Sequence, residues 1–318
     1  MPVAAATGTV RDKRIIDFIA GDDHYLVYLT DHYTVGGQYE PTQNLVEVDR
    51  RLGHRVIGHD DEQVGGLDYS LDGSTLLGRA RSGFPGNDQH APNDASRIYW
   101  WDLAKHTSGS FELAANEVFI GAARGAAVYQ TVDPQSATPG EPTGLFRRTM
   151  QGGAVTQLPL SYPHATTPRE IATGPAGYLV RLAQTGRATY FKYGASRGVK
   201  LHLPASFTIS DGGRPLARYA AFGEGGEDDG ITARTAFVPL DGGATFVIGS
   251  HGPFGDLGQA LVYGHKHVHF RTKAGKVHVS GVHGSVAGAA FGGAVIHQAP
   301  TSLAVQRGWR ATPVVIVK

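Results

Sequence analysis

The stretch Val64–Ala114, VGGLDYSLDGSTLLGRARSGFPGNDQHAPNDASRIYWWDLAKHTSGSFELA, constrains the fold more than any other. VGGLDYS reads as a first strand, and Asp72 and Gly73 supply the chemistry of a tight turn. STLLGRARS is an apolar second strand, followed by a long loop rich in Pro, Gly, Asn and Asp. SRIYWWDLAK, aromatic and β-branched, is a third strand. HTSG then turns the chain into a fourth strand, GSFELA. A lone four-stranded antiparallel sheet leaves at least one apolar face uncovered, so copies of this unit must stack.

The copies are visible as recurring apolar cores. They are Tyr25–Leu29, Thr75–Gly78, Ala127–Gln130, Tyr178–Leu182, Arg218–Phe222, Ala260–Tyr263 and Ala294–His297. Their spacing, roughly 50 residues early and roughly 33–42 late, is that of propeller blades. Third strands follow at QNLVEVDRR, SRIYWWDLAK, TGLFRRTMQ, RATYFKYGA, ITARTAFVPL, KHVHFRTK and TSLAVQRGW. No segment carries helical periodicity over three turns. The expected fold class is therefore all-β, a seven-bladed β-propeller of four-stranded antiparallel blades. It is expected as one domain over 1–318, with blades near 13–62, 63–115, 116–162, 163–206, 207–251, 252–283 and 284–318. An end strand, Thr312–Lys318 or Thr7–Lys13, is expected to close the ring.

Composition narrows the function classes. A net charge of +1 gives no field to steer nucleic acid, and no apolar run is long enough to span a membrane. The absence of cysteine excludes disulfides, thiol catalysis and thiolate metal sites. The start, MPVAAATGTV, lacks a signal peptide's basic and apolar regions. Its small-residue run Ala4–Gly8 suits the remainder left by cleavage, which favours a periplasmic or secreted location. A monomer is expected.

SLDGSTLL (Ser70–Leu77) resembles the S-P-D-G-x-x-L box of TolB-like and related periplasmic propellers, with Leu71 where proline is usual. IYWWDLAKHTSG (Ile98–Gly109) is similar to their I-Y-x-x-D-L-x-x-G segment. Only this blade matches in letters, and the G-H…W-D signature of WD40 repeats is absent. The resemblance implies a fold and a ring of loops. Such propellers serve as scaffolds, lyases, hydrolases and assembly factors, so it implies little about activity.

In a propeller, the loops between strands two and three and between blades share one face. The long insertions Asp31–Gln43, Ser82–Ala95, Val132–Thr143 and Gly223–Gly230 all fall there, which marks that face as the functional one. Seven of the 15 histidines map to it: His32, His59, His90, His164, His251, His265 and His283. Imidazole is a general acid/base near neutral pH and a common metal ligand. His164, His251 and His283, with Arg169, are the candidate catalytic residues. His265 and His267, with His32 and His90, are the candidate ligands of one divalent metal ion: zinc, manganese or calcium. His265, His267 and His269 alternate in HKHVH, so they are expected on one side of a strand. Tyr33, Tyr39 and Phe84 are candidates for stacking on a ligand, and Arg81 and Arg181 for neutralising its carboxylate. Asp256 is a candidate to orient an imidazole, and Glu224 is read as part of a solvated acidic run.

Two readings follow. One is an enzyme, a lyase or hydrolase acting on a carbohydrate or other polar small molecule through His acid/base chemistry. The other is a non-catalytic binding propeller whose long loops, in blades one to three, receive a peptide, glycan or protein. G-x-S-x-G, H-E-x-x-H and Walker A motifs are absent.

Overall fold

The computed structural model describes residues 15–32, 42–60, 69–80, 97–133, 135, 142–150, 153–162, 169–182, 185, 187–203, 214–224, 234–249, 254–299 and 302–317. These residues form 28 strands in seven four-stranded antiparallel sheets. Blade one is β1 (Ile15–Gly21), β2 (Tyr25–His32), β3 (Thr42–Asp49) and β4 (His54–Asp60). Blade two is β5 (Ser70–Asp72), β6 (Thr75–Ala80), β7 (Arg97–Asp102) and β8 (Thr107–Glu112). Blade three is β9 (Glu117–Ala123), β10 (Ala126–Val132), β11 (Pro142–Thr149) and β12 (Val155–Leu158). Blade four is β13 (Arg169–Thr173), β14 (Gly177–Leu182), β15 (Arg187–Lys192) and β16 (Val199–His202). Blade five is β17 (Arg214–Pro215), β18 (Tyr219–Glu224), β19 (Arg234–Pro239) and β20 (Phe246–Ile248). Blade six is β21 (Phe254–Asp256), β22 (Ala260–Tyr263), β23 (His267–Thr272) and β24 (Val277–His283). Blade seven is β25 (Ser285–Ala290), β26 (Gly293–Ala299), β27 (Ser302–Gln306) and β28 (Val314–Val317). The molecule is a seven-bladed β-propeller, and the described residues contain no α-helix.

The seven apolar cores fall on the second strands because these strands are covered on both faces. Alternation divides each one between two neighbours. In β14, Leu179 packs with Ala220, Phe222, Ala236 and Val238 of blade five. Tyr178 and Val180 pack with Val128, Leu145 and Leu158 of blade three. First strands line the axis, and several lie directly against those of the adjacent blades. There they favour small residues: a Cβ on Gly288 would run into the Phe18 ring.

Two local expectations change. In blade two the strands run through Asp72 and the turn falls on Gly73–Ser74, where Gly73 has φ of 62°. The second turn spans Leu103–His106 rather than HTSG. Asp102 sets it, because its carboxylate accepts the Lys105 N–H at 3.1 Å. Trp100 and Trp101 point to opposite sides as alternation requires, and both are packed. Trp100 lies against Phe119, Ala127 and Tyr129 of blade three. Trp101 packs among blade-one residues and donates its Nε1–H to the Ile57 carbonyl at 3.1 Å.

Of the two end strands expected to close the ring, the C-terminal one does not do so. Val314–Val317 pairs with β27 as the last strand of its own blade and not with blade one. Thr7–Lys13 lies outside the described residues. Among those residues, the seam between blades seven and one is closed by packing. Leu26, Tyr28, Val46 and Val48 meet Ala290, Phe291, Val295, Leu303, Val305 and Ile316. One backbone bond crosses it, from the Phe291 N–H to the Asp22 carbonyl at 2.6 Å.

Candidate functional site

Antiparallel order places the start of each first strand, the end of each second, the start of each third and the end of each fourth at one face. Of the candidate catalytic, ligand-binding and metal-ligating residues, Arg169, Arg181, His265, His267 and His283 are described with their side chains, and all five lie at this face. His164, His251, His90, Tyr33, Tyr39, Phe84 and Arg81 lie outside the described residues, and only the backbone of His32, at the end of β2, is placed. Whether His164 and His251 converge on His283 therefore lies outside what is described. His283 itself is the last residue of β24, the outermost strand of its blade.

The face carries a charge cluster at the seam between blades four and five. Glu170 and Arg181 are register partners on β13 and β14, and their side chains form an ion pair. Arg181 alternates with Leu179, so it faces blade five directly above the apolar seam. Glu224 and Arg234 are register partners on β18 and β19 and also form an ion pair. Glu224 shares its side of β18 with Ala220 and Phe222, and Arg234 shares its side of β19 with Ala236. The four charged groups thus sit on facing sides of one seam, above its hydrocarbon.

Their burial is unequal. The Arg181 side chain is 4% exposed and Glu170 is 40% exposed. Among the described residues, Nε and Nη1 of Arg181 have no hydrogen-bond partner. A buried N–H left unpaired costs about 1–3 kcal/mol, more when the group is charged, so such a group needs an explanation. Arg169 points the other way, donating from Nη2 to the Pro142 carbonyl of blade three at 2.6 Å. It alternates with Ile171, which packs on that blade. Glu224 is 4% exposed and paired, so the reading of it as part of a solvated run does not hold. Glu170 was not singled out, although counting back from the GPAG turn pairs Thr173 with Tyr178 and so Glu170 with Arg181.

The histidines occupy the rim of blades six and seven. His265 lies in the turn before β23, where its Nδ1 is 3.3 Å from Ser285 Oγ. Ser285 donates that hydroxyl proton to the His265 carbonyl at 3.0 Å. Its oxygen therefore accepts from Nδ1–H, and Nε2 is the basic nitrogen of the neutral ring. His267 faces His283 across the ladder, with ring centroids 4.9 Å apart. His269 stacks on Tyr263 at 5.2 Å, so the three HKHVH imidazoles have three different surroundings. Among the described residues, no three His, Asp or Glu side chains are grouped to hold a metal ion. Asp256 lies at the opposite face, 3% exposed at its side chain, where it accepts the Arg218 N–H at 2.8 Å and pairs with Arg218 Nε at 3.3 Å. It braces blades five and six and orients no imidazole among the described residues.

A fold of this kind defines the chain as a β-propeller. No protein-family model matches it, and neither does any curated protein sequence. Solved structures do. A prolyl endopeptidase structure matches with TM-score 0.56 and 13% identity, over 96% of this chain and 47% of that one. The acylaminoacyl peptidase of Pyrococcus horikoshii matches with TM-score 0.55 and 10% identity, over 96% and 52%. TolB from Acinetobacter baumannii matches with TM-score 0.47 and 10% identity, over 83% and 62%. This chain spans about half the length of the two peptidases and under two thirds of TolB. At these identities the likeness is one of fold.

Proposed function

We propose that this propeller is a binding module whose long-loop face takes up a carboxylate-bearing small molecule, with Arg181 as the carboxylate anchor. The observation that carries the reading is the buried Arg181 guanidinium, paired on one nitrogen and, among the described residues, unpartnered on two. Guanidinium offers a planar fork that matches a carboxylate, and a charge-assisted pair there would satisfy donors that no described residue meets. A sugar acid is the favoured form, because Tyr33, Tyr39 and Phe84 in the long loops would stack on a sugar ring. Export to the periplasm or the exterior belongs to the same reading.

The test is calorimetry with glucuronate and galacturonate, using the neutral sugars glucose and galactose as controls. Wild type should bind an acid sugar, and Arg181→Gln should weaken binding at least tenfold with an unchanged ligand-free melting temperature. Equal binding by the variant would remove Arg181 from the site. A fall in melting temperature without any ligand effect would make the residue structural. Turnover of a uronate-containing oligosaccharide would instead put first the lyase or hydrolase reading, with His164, His251, His283 and Arg169 in acid/base roles.

A further inference from the structure

β23 and β24 do not pair in a regular ladder. His269 lies opposite Val279, while His267 lies opposite His283. Between these pairings β24 spends two more residues than β23. An uninterrupted ladder would place Gly281 across from His267. The excess forms a bulge, a device that re-aims side chains. It is held from within: Ser280 is buried, and its Oγ accepts the Val282 N–H at 3.1 Å. It is also held from blade seven. Buried Gln306 donates from Nε2 to Ser280 Oγ and to the Ala311 carbonyl, each at 2.9 Å.

The result is an exposed cross-strand pair of imidazoles with centroids 4.9 Å apart and planes inclined by 55°. Two imidazoles bound to one tetrahedral ion at ~2.0–2.1 Å per bond have centroids about 5 Å apart. Neither ring has a hydrogen-bond partner among the described residues. His265 is held by Ser285 and no third His, Asp or Glu completes a cluster there. We infer that His267 and His283 form a two-histidine site for a borderline transition-metal ion, Zn²⁺ or Cu²⁺, with water in the remaining positions. Imidazole nitrogens suit these ions, whereas calcium and magnesium demand oxygen ligands. The site is independent of the Arg181 anchor, at a different seam and of different chemistry.

The chain, stripped of metal, is titrated with ZnCl₂ by calorimetry and with CuCl₂ by electron paramagnetic resonance. Wild type should bind one equivalent with nitrogen hyperfine structure from two imidazoles. His267→Gln and His283→Gln should each weaken binding at least tenfold with unchanged melting temperatures. His265→Gln should bind like wild type. Ser280→Gly, which removes the bulge's internal acceptor, should weaken binding while leaving both imidazoles present. One equivalent retained by both single variants would place the metal elsewhere and overturn the inference, as would no binding by wild type. Equal loss in His265→Gln would overturn the two-ligand form.

Discussion

Leu26 and Leu179 occupy equivalent second strands and are both fully buried, one at the seam of blades seven and one, the other at the seam of blades four and five. Truncation to alanine removes the same atoms from equally sealed sites, and each substitution should cost about 3 kcal/mol. For a chain of 318 residues melting as one unit, that corresponds to a fall of about 4–5 °C. The two variants should nevertheless open differently. Chain joins blade four to blade five, so separating them does not free either one. No described strand joins blade seven to blade one, so Leu26→Ala should release the two end blades locally. Hydrogen exchange followed by mass spectrometry should show amides of blades one and seven accelerated about 100-fold by that opening, the equivalent of 3 kcal/mol, while amides of blades three and four accelerate only where they exchange through global unfolding. Leu179→Ala should accelerate all blades together. Uniform acceleration in Leu26→Ala would refute the reasoning, because it would require a tie across that seam beyond side-chain packing and the one Phe291–Asp22 backbone bond.

Two further outcomes concern single polar groups. Burial raises the Asp102 carboxyl, but the backbone and side-chain bonds from Lys105 outweigh it and hold the pKa below the ordinary value. The folded pKa lies under the unfolded one, so its contribution is present above the unfolded pKa and lost as pH falls toward the folded one. Asp102→Asn should cost about 1 kcal/mol at neutral pH, a difference that shrinks below about pH 4 in urea titrations. The Tyr178 hydroxyl donates to the Pro159 carbonyl at 2.7 Å, and burial pushes its pKa well above the ordinary phenol range. Tyr178→Phe should cost about 1 kcal/mol, and an alkaline titration at the phenolate absorbance should show one fewer tyrosine ionising only on unfolding.

The architecture was legible because its signal is repeated. Seven apolar second strands, each with a turn before it and an aromatic or β-branched third strand after it, leave few alternatives to a ring. The site was less legible, for reasons that differ by residue. The Glu170–Arg181 pair was within reach, since a tight turn fixes register on both sides of it. Glu224 misled because its neighbours in sequence are acidic and glycine-rich, whereas it ends β18 on the side that carries Ala220 and Phe222 into the seam with blade four. His267 and His283 could not be matched from spacing, because the bulge adds two residues to one strand and its cause, Gln306, belongs to the next blade. Trp101 showed the limit of alternation, which gives the side a residue faces but not what waits there.

The seams of this ring differ in chemistry. Aliphatic side chains with Tyr28 and Phe291 close seven onto one, while Trp100 and Tyr129 meet between two and three. Phe237, Phe246 and Phe254 interlock between five and six, and a Ser–Gln hydrogen bond links six to seven. Near-identical repeats on one chain can dock on the wrong neighbour while folding. Here a blade that skipped a place would set a carboxylate such as Glu224 or an amide such as Gln306 against hydrocarbon, at a cost of several kcal/mol. The differences between the seams thus favour each blade's own neighbour over the other five.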